Sequence, residues 1–139
     1  MGTFNANINL SSPDVLSSQL TVGVGISVEA DSGNLTRVKM AATSASATNP
    51  GPVTVYKGSD KLDAAYVYIK NMSDVEEEYA YVFGTKDSSD TPNILKLGGG
   101  QFAFMPVESS ITLKAYGTKV DQIIEYGVFG RDSSNVTLA

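Results

Sequence analysis

The 139-residue sequence has no cysteine, no histidine and no tryptophan. Without cysteine there are no disulfides and no thiolate metal sites. Without histidine there is no imidazole base and no Ser-His-Asp triad. With neither residue, a structural zinc site and histidine-ligated haem are excluded. The missing tryptophan weakens the case for a sugar-stacking site. Arginine is also scarce, at Arg37 and Arg131 only, and the net charge is −5. An acidic chain with scattered lysines is a poor phosphate binder, so nucleic acid is not an expected partner. No stretch approaches the ~18 apolar residues that span a bilayer, and no membrane partner is expected. Met1 to Ser12 contain no Lys or Arg and no long apolar run, which does not read as a secretory leader. A myristoylation signal at Gly2 would need Ser or Thr where Ala6 stands.

What is present fits one domain with one core: 42% of the residues are hydrophobic. Without disulfides, stability rests on packing and on partner subunits, and a homo-oligomer is expected. The clearest pattern is Leu20, Val22, Val24, Ile26 and Val28 alternating with Thr21, Gly23, Gly25 and Ser27. A period of two places every aliphatic on one strand face, expected to be the buried one. Asp31-Ser32-Gly33-Asn34 has turn chemistry, and Leu35 to Met40 is expected to return as the second strand of a hairpin. Residues 1–18 are rich in Asn and Ser and read as a polar N-terminal arm, with Phe4, Ile8 and Leu10 as its docking anchors. Residues 19–139 then form a single β-sandwich domain, with 41–52 as a flexible loop marked by Pro50 and Pro52.

Short strands are expected over 53–56, 64–70, 78–83, 94–97, 101–105, 111–115 and 123–129, with brief helical turns admitted only at 60–65 and 75–80. That makes about nine strands, no 3.6-residue apolar stripe, and an all-β, antiparallel, jelly-roll-like sandwich. Gly98-Gly99-Gly100 precedes Gln101-Phe102-Ala103-Phe104 rather than Lys-Ser or a helix start. It reads as a tight turn and not a phosphate cradle. Gly23 and Gly25 mark close packing or a bulge. Asp74 with Glu76, Glu77 and Glu78 is the densest acidic run, but it lacks the alternating pattern and glycine of a calcium loop and reads as a solvated face. No two of the fifteen acids stand out as a glycosidase pair. The sequons at Asn9, Asn34, Asn71 and Asn135 mark exposed turns. No catalytic residue, cofactor or metal site is expected. Tyr66 and Tyr68 share a strand face opposite Val67 and Ile69; if the aliphatics point inward, the tyrosines form an outer stripe suited to an interface.

Four segments carry a family likeness: Ala65-Tyr66-Val67-Tyr68-Ile69-Lys70-Asn71, Tyr81-Val82-Phe83-Gly84, Leu97 through Pro106, and Glu125-Tyr126-Gly127-Val128-Phe129. Over roughly residues 15–130 the chain resembles small virion structural proteins of tailed bacteriophages, including marine and cyanobacterial phages. The resemblance implies a β-sandwich carried in many copies on the particle, most commonly as a capsid decoration or cement protein. Its partners would be the major capsid protein or other virion proteins. Its place would be the capsid exterior, after assembly in the host cytoplasm. Tail and fibre components share this style of sequence. A carbohydrate-binding adhesion module would also look alike, and should show an aromatic platform beside carboxamides and acids.

Overall fold

The computed structural model describes residues 2–13, 19–30, 32–58, 62–86, 89–108 and 110–132. Its strands in chain order are β1 (Gly2–Ser12), β2 (Leu20–Ala30), β3 (Ser32–Met40), β4 (Val53–Tyr56) and β5 (Leu62–Asn71), then β6 (Ala80–Lys86), β7 (Ser89–Leu97), β8 (Phe102–Val107), β9 (Thr112–Gly117) and β10 (Gln122–Asp132). Eight of them make two four-stranded antiparallel sheets, ordered β3-β10-β5-β8 and β4-β9-β6-β7. The pairing is nested: β3 with β10, β4 with β9, β5 with β8, and β6 with β7. One long antiparallel ribbon rolled up on itself gives this order, which is the topology of a jelly roll. Among the described residues, the remaining strands, β1 and β2, pair only with each other.

Alternation decides what goes inside. On β5, Ala65, Val67 and Ile69 are buried, and Tyr66, Tyr68 and Lys70 face outward. The core joins these residues to Met40 and Ile124 of the first sheet and to Val82, Leu97, Leu113 and Ala115 of the second. At one end of this apolar layer two carboxamides hold the sheets together. Buried Asn71 donates from Nδ2 to the carbonyls of Glu78 (2.7 Å) and Leu97 (2.9 Å). Its Oδ1 accepts from the Ser73 amide at 3.1 Å. Buried Gln122 donates to the Tyr79 carbonyl at 2.9 Å. A buried polar group without partners is costly, and here the side chains satisfy backbone carbonyls that leave the strands.

Several expectations need correction. The sequon residues Asn9, Asn34 and Asn71 stand in strands rather than turns, and Asn71 is fully buried. Residues 20–28 do not form a hairpin with 35–40: β2 pairs with β1, and β3 pairs with β10. β1 competes successfully for β2 because Ala6, Ile8 and Leu10 alternate as regularly as the aliphatics of β2 and face them in register. Gly2–Ser12 of the expected arm therefore stand in a strand. The face bearing Val24 is not core either, since Val24 is 59% exposed. Among the described residues the helical turns admitted at 60–65 and 75–80 are not seen: residues 62–65 lie in β5, 74–77 form a bend and turn, and 60–61 lie outside the described residues. Residues 41–52 hold no strand. The triple glycine is a tight turn, in which the Gln101 amide donates to the Gly98 carbonyl at 3.0 Å and Gly100 sits at φ 81°. A type II turn needs a positive φ at that third position, which glycine adopts without strain.

Candidate interaction surface

Strand register sorts the outer face of the β3-β10-β5-β8 sheet into rows. Leu35, Gly127, Tyr68 and Phe104 form one row, and Phe129, Tyr66 and Pro106 form the next. Arg37, Glu125, Lys70 and Phe102 form a third. The expected tyrosine stripe lies on this outer face, with Tyr66 and Tyr68 both half-buried. Tyr66 stacks on Phe104, with centroids 5.8 Å apart and planes within 9°. Tyr68 donates its hydroxyl to Glu125 Oε1 at 2.9 Å, and Arg37 Nε donates to Glu125 Oε2 at 2.7 Å. The Arg37 bond first, then the Tyr68 bond, hold the Glu125 carboxyl below its ordinary range. Burial, then the Glu125 bond, push the Tyr68 phenol up. Lysines that look scattered in sequence meet here, because Lys39 and Lys70 join Arg37 at one end of this face.

Beside this sheet stands the β1–β2 ribbon. Its cross-strand pairs Ala6–Ile26, Ile8–Val24 and Leu10–Val22 put six apolar side chains on one face. Ile8, Leu10, Val22, Val24 and Ile26 are all exposed. The register positions on the opposite face are Thr3–Glu29, Asn5–Ser27, Asn7–Gly25, Asn9–Gly23 and Ser11–Thr21. Asn7 lies over Gly25, and the Asn9 side-chain oxygen lies 3.1 Å from where a Cβ on Gly23 would stand. The two glycines are thus sites of close packing. The ribbon's apolar face and the outer sheet meet around Phe104, where Ala6, Ile8, Val24, Gly25, Ile26 and Phe104 line a wedge of about 170 Å³.

Of the five residues singled out from sequence, Ile8 and Tyr66 come together across Phe104. Tyr68 lies in the Phe104 row, and Leu10 lies one same-face pair along from Ile8. Phe4 holds a register position opposite Val28, and its side chain lies outside the described residues. Sequence reasoning assigns Val24, Ile26 and Phe104 to the core, whereas Val24 and Ile26 are exposed and Phe104 lies in the outward row with Tyr68.

The outer face of the other sheet carries a separate aromatic group. Tyr81 and Tyr116, a cross-strand pair, stack at 5.2 Å. Lys96 Nζ sits 4.2 Å above the Tyr79 ring, a cation–π contact. Asn93 Nδ2 donates to the Tyr116 hydroxyl at 2.9 Å. Between edge strands β7 and β8, Ile94, Met105, Val107, Ile111 and Leu113 line an apolar cleft of about 270 Å³. In the acidic run Asp74, Glu76 and Glu77 are exposed, and Glu78 bonds Ser73 and pairs with Lys119 at 3.0 Å. Among the described residues, no three carboxylates gather as a metal site, and no helix is long and apolar enough to cross a membrane.

The fold is therefore a jelly roll with an added two-stranded ribbon, and its most distinctive surface is apolar and aromatic. No protein-family model matches the chain, and neither the curated proteins nor the solved structures yield a match.

Proposed function

We propose that this chain is a non-enzymatic virion structural protein, a decoration or cement subunit that binds and stabilises an assembled phage head. The observation that supports a binding role is the ribbon, whose apolar face stands in solvent beside an aromatic sheet face. A patch of that kind marks an interaction surface on a soluble protein. The jelly roll is an architecture of viral capsid domains, which supports the reading by analogy of fold. The virion setting itself rests on the sequence resemblance. Weak contacts suffice for a cement protein, because many copies on one lattice act together. The test is co-sedimentation of the full chain with expanded shells, with shell heat resistance measured in parallel. Binding to shells and a raised shell melting temperature are expected. Binding to isolated tails instead replaces the head role with a tail or fibre role, and binding to neither overturns the proposal.

A second reading, glycan binding, has one observation in its favour. The Tyr81–Tyr116 stack with the Asn93 carboxamide beside it is the kind of aromatic-and-amide group a sugar ring packs on, and lectin domains share the jelly roll. Saturable binding of a saccharide, lost in Tyr116→Ala, would favour it.

A further inference from the structure

We propose that a short acidic segment of a partner protein docks in a cationic groove at the Lys39 end of the β3-β10-β5-β8 sheet. This rests on the assembly reading, names the chemistry of one partner, and is tested apart from shell binding. Register places Lys39 beside Ile123, one same-face step along from the row of Arg37, Glu125 and Lys70. There Arg37, Val38, Lys39, Met72 and Ile123 line a groove of about 420 Å³, which shares no residue with the wedge at Phe104. Among the described residues its lining is two cations and three apolar residues, with no carboxylate. Ile123 is 38% exposed, so solvent reaches the apolar floor.

Charge identifies the occupant. Arg37 spends Nε on Glu125, yet its side chain stays 65% exposed, and a guanidinium has further donors to offer. Among the described residues Lys39 and Lys70 form no ion pair, and Lys70 acts on Glu125 only at longer range. Glu125, the acid of the adjoining row, is already taken by Arg37 and Tyr68. A chain of net −5 thus carries a local excess of positive charge beside apolar surface. Its complement is a carboxylate next to an apolar side chain. Two arguments select a short peptide over other anions. Nucleic acid extends past the ~8–10 Å over which charge acts at physiological salt, and there it meets an acidic protein. A small apolar anion is held by being largely enclosed, whereas Arg37, Lys39 and Ile123 all stand exposed. A protein segment needs no enclosure, because in an assembly many weak contacts act together.

The experiment is fluorescence anisotropy of the full chain with a labelled, end-blocked peptide of roughly eight residues, mixing Asp and Glu with Val and Leu. Saturable binding that weakens as salt rises is expected, and the same peptide with Asn and Gln for its acids should bind at least ~10-fold more weakly. Lys39→Glu should weaken binding by ~10-fold or more, and Ile123→Ser by roughly threefold. Both positions are exposed, so circular dichroism should not change. Lys57→Glu, at an exposed lysine just after β4 of the other sheet, should bind like the wild type. Binding indifferent to the peptide's acids or to Lys39 overturns the proposal. So does an absence of binding at ~1 mM peptide, or tighter binding of a single-stranded DNA oligomer. Shell binding without acidic-peptide binding overturns this proposal and leaves the decoration role intact. Acidic-peptide binding through Lys39 without shell binding does the reverse.

Discussion

Replacing Asn71 by alanine is expected to destabilise the fold by about 3–5 kcal/mol. Asn71 is fully buried at the end of β5, and its carboxamide reaches two carbonyls that belong to the facing sheet and its entry. The substitution removes both donors at once and strips the Ser73 amide of its 3.1 Å acceptor. The 3.4 Å contact from Gln122 is long and contributes little. Each buried group left without a partner costs ~1–3 kcal/mol, and a small cavity adds to that. Three such groups, partly relieved by water, give the stated range. Against a total of roughly 5–15 kcal/mol this is a large fraction, equivalent to a fall in Tm of about 10–20 °C.

Urea unfolding followed by circular dichroism measures the effect, with an unchanged m value confirming that the same surface is being exposed. Asn71→Asp is the diagnostic companion. Its volume is nearly conserved, so packing survives, but a carboxylate would face two carbonyl oxygens with nothing to donate. Its folded-state pKa should be raised above the unfolded value. The added instability should therefore be full at neutral pH and shrink as pH falls through that raised value, since the protonated acid can donate once. A change below ~1 kcal/mol for Asn71→Ala would refute the reasoning, because it would show that the carbonyls of Glu78 and Leu97 do not depend on this side chain.

Glu125 has its carboxyl held low by Arg37 and then by Tyr68, so its contribution is present above the unfolded carboxylate value and is lost as pH falls through the lower folded one. Arg37→Gln should lower Tm at pH 7, with the difference from wild type closing as the pH falls below about 4; a difference independent of pH would refute the linkage. Val24→Asp should change the stability of the single copy by less than ~1 kcal/mol in dilute urea titrations, whereas Val67→Asp should cost several kcal/mol or abolish folding, because Val67 is completely buried. Equal effects would show the faces to be wrongly assigned. Gly25→Val places a side chain where Asn7 lies, so amide hydrogen exchange across β1 and β2 should quicken while the jelly-roll strands keep their protection. Uniform loss of protection would mean that ribbon and roll fold as one unit.

The sequence displayed strand faces better than strand partners. Ala65, Val67 and Ile69 alternate with Tyr66, Tyr68 and Lys70, so inward and outward sets follow from the period alone. Pairing is a different matter: β3 meets β10 across the length of the chain, and the Arg37–Glu125 bond spans 88 positions. No local pattern encodes that choice. β7 begins at Ser89, five residues before the expected Ile94, because its first half is an exposed edge with no apolar alternation to read. β1 was hidden by composition, since Asn and Ser favour turns over strands, although Phe4, Ala6, Ile8 and Leu10 keep the period. The exposure of Val24 was out of reach for another reason. Alternation identifies an apolar face and cannot say whether anything in the chain covers it.

That last distinction bears on why the ribbon is there. Among the described residues the core is built entirely from β3 to β10 and the segments joining them, so the jelly roll closes its apolar layer without β1 and β2. An isolated two-stranded hairpin is marginal in water, because it orders some twenty residues and buries little. Here the order is partly imposed by local fit, with Asn7 and Asn9 seated over glycines and eleven pairs in unbroken register. Even so, an aliphatic row that stays 38–59% exposed contributes little to the single copy and adds an aggregation hazard. Burial against another protein reverses both terms. The apolar row then supplies ~25 cal/mol per Å² of surface removed from water, and the ordering of the ribbon is shared with the contact that needs it. In the proposed assembly role, the ribbon is an element whose stability would be completed by its partner.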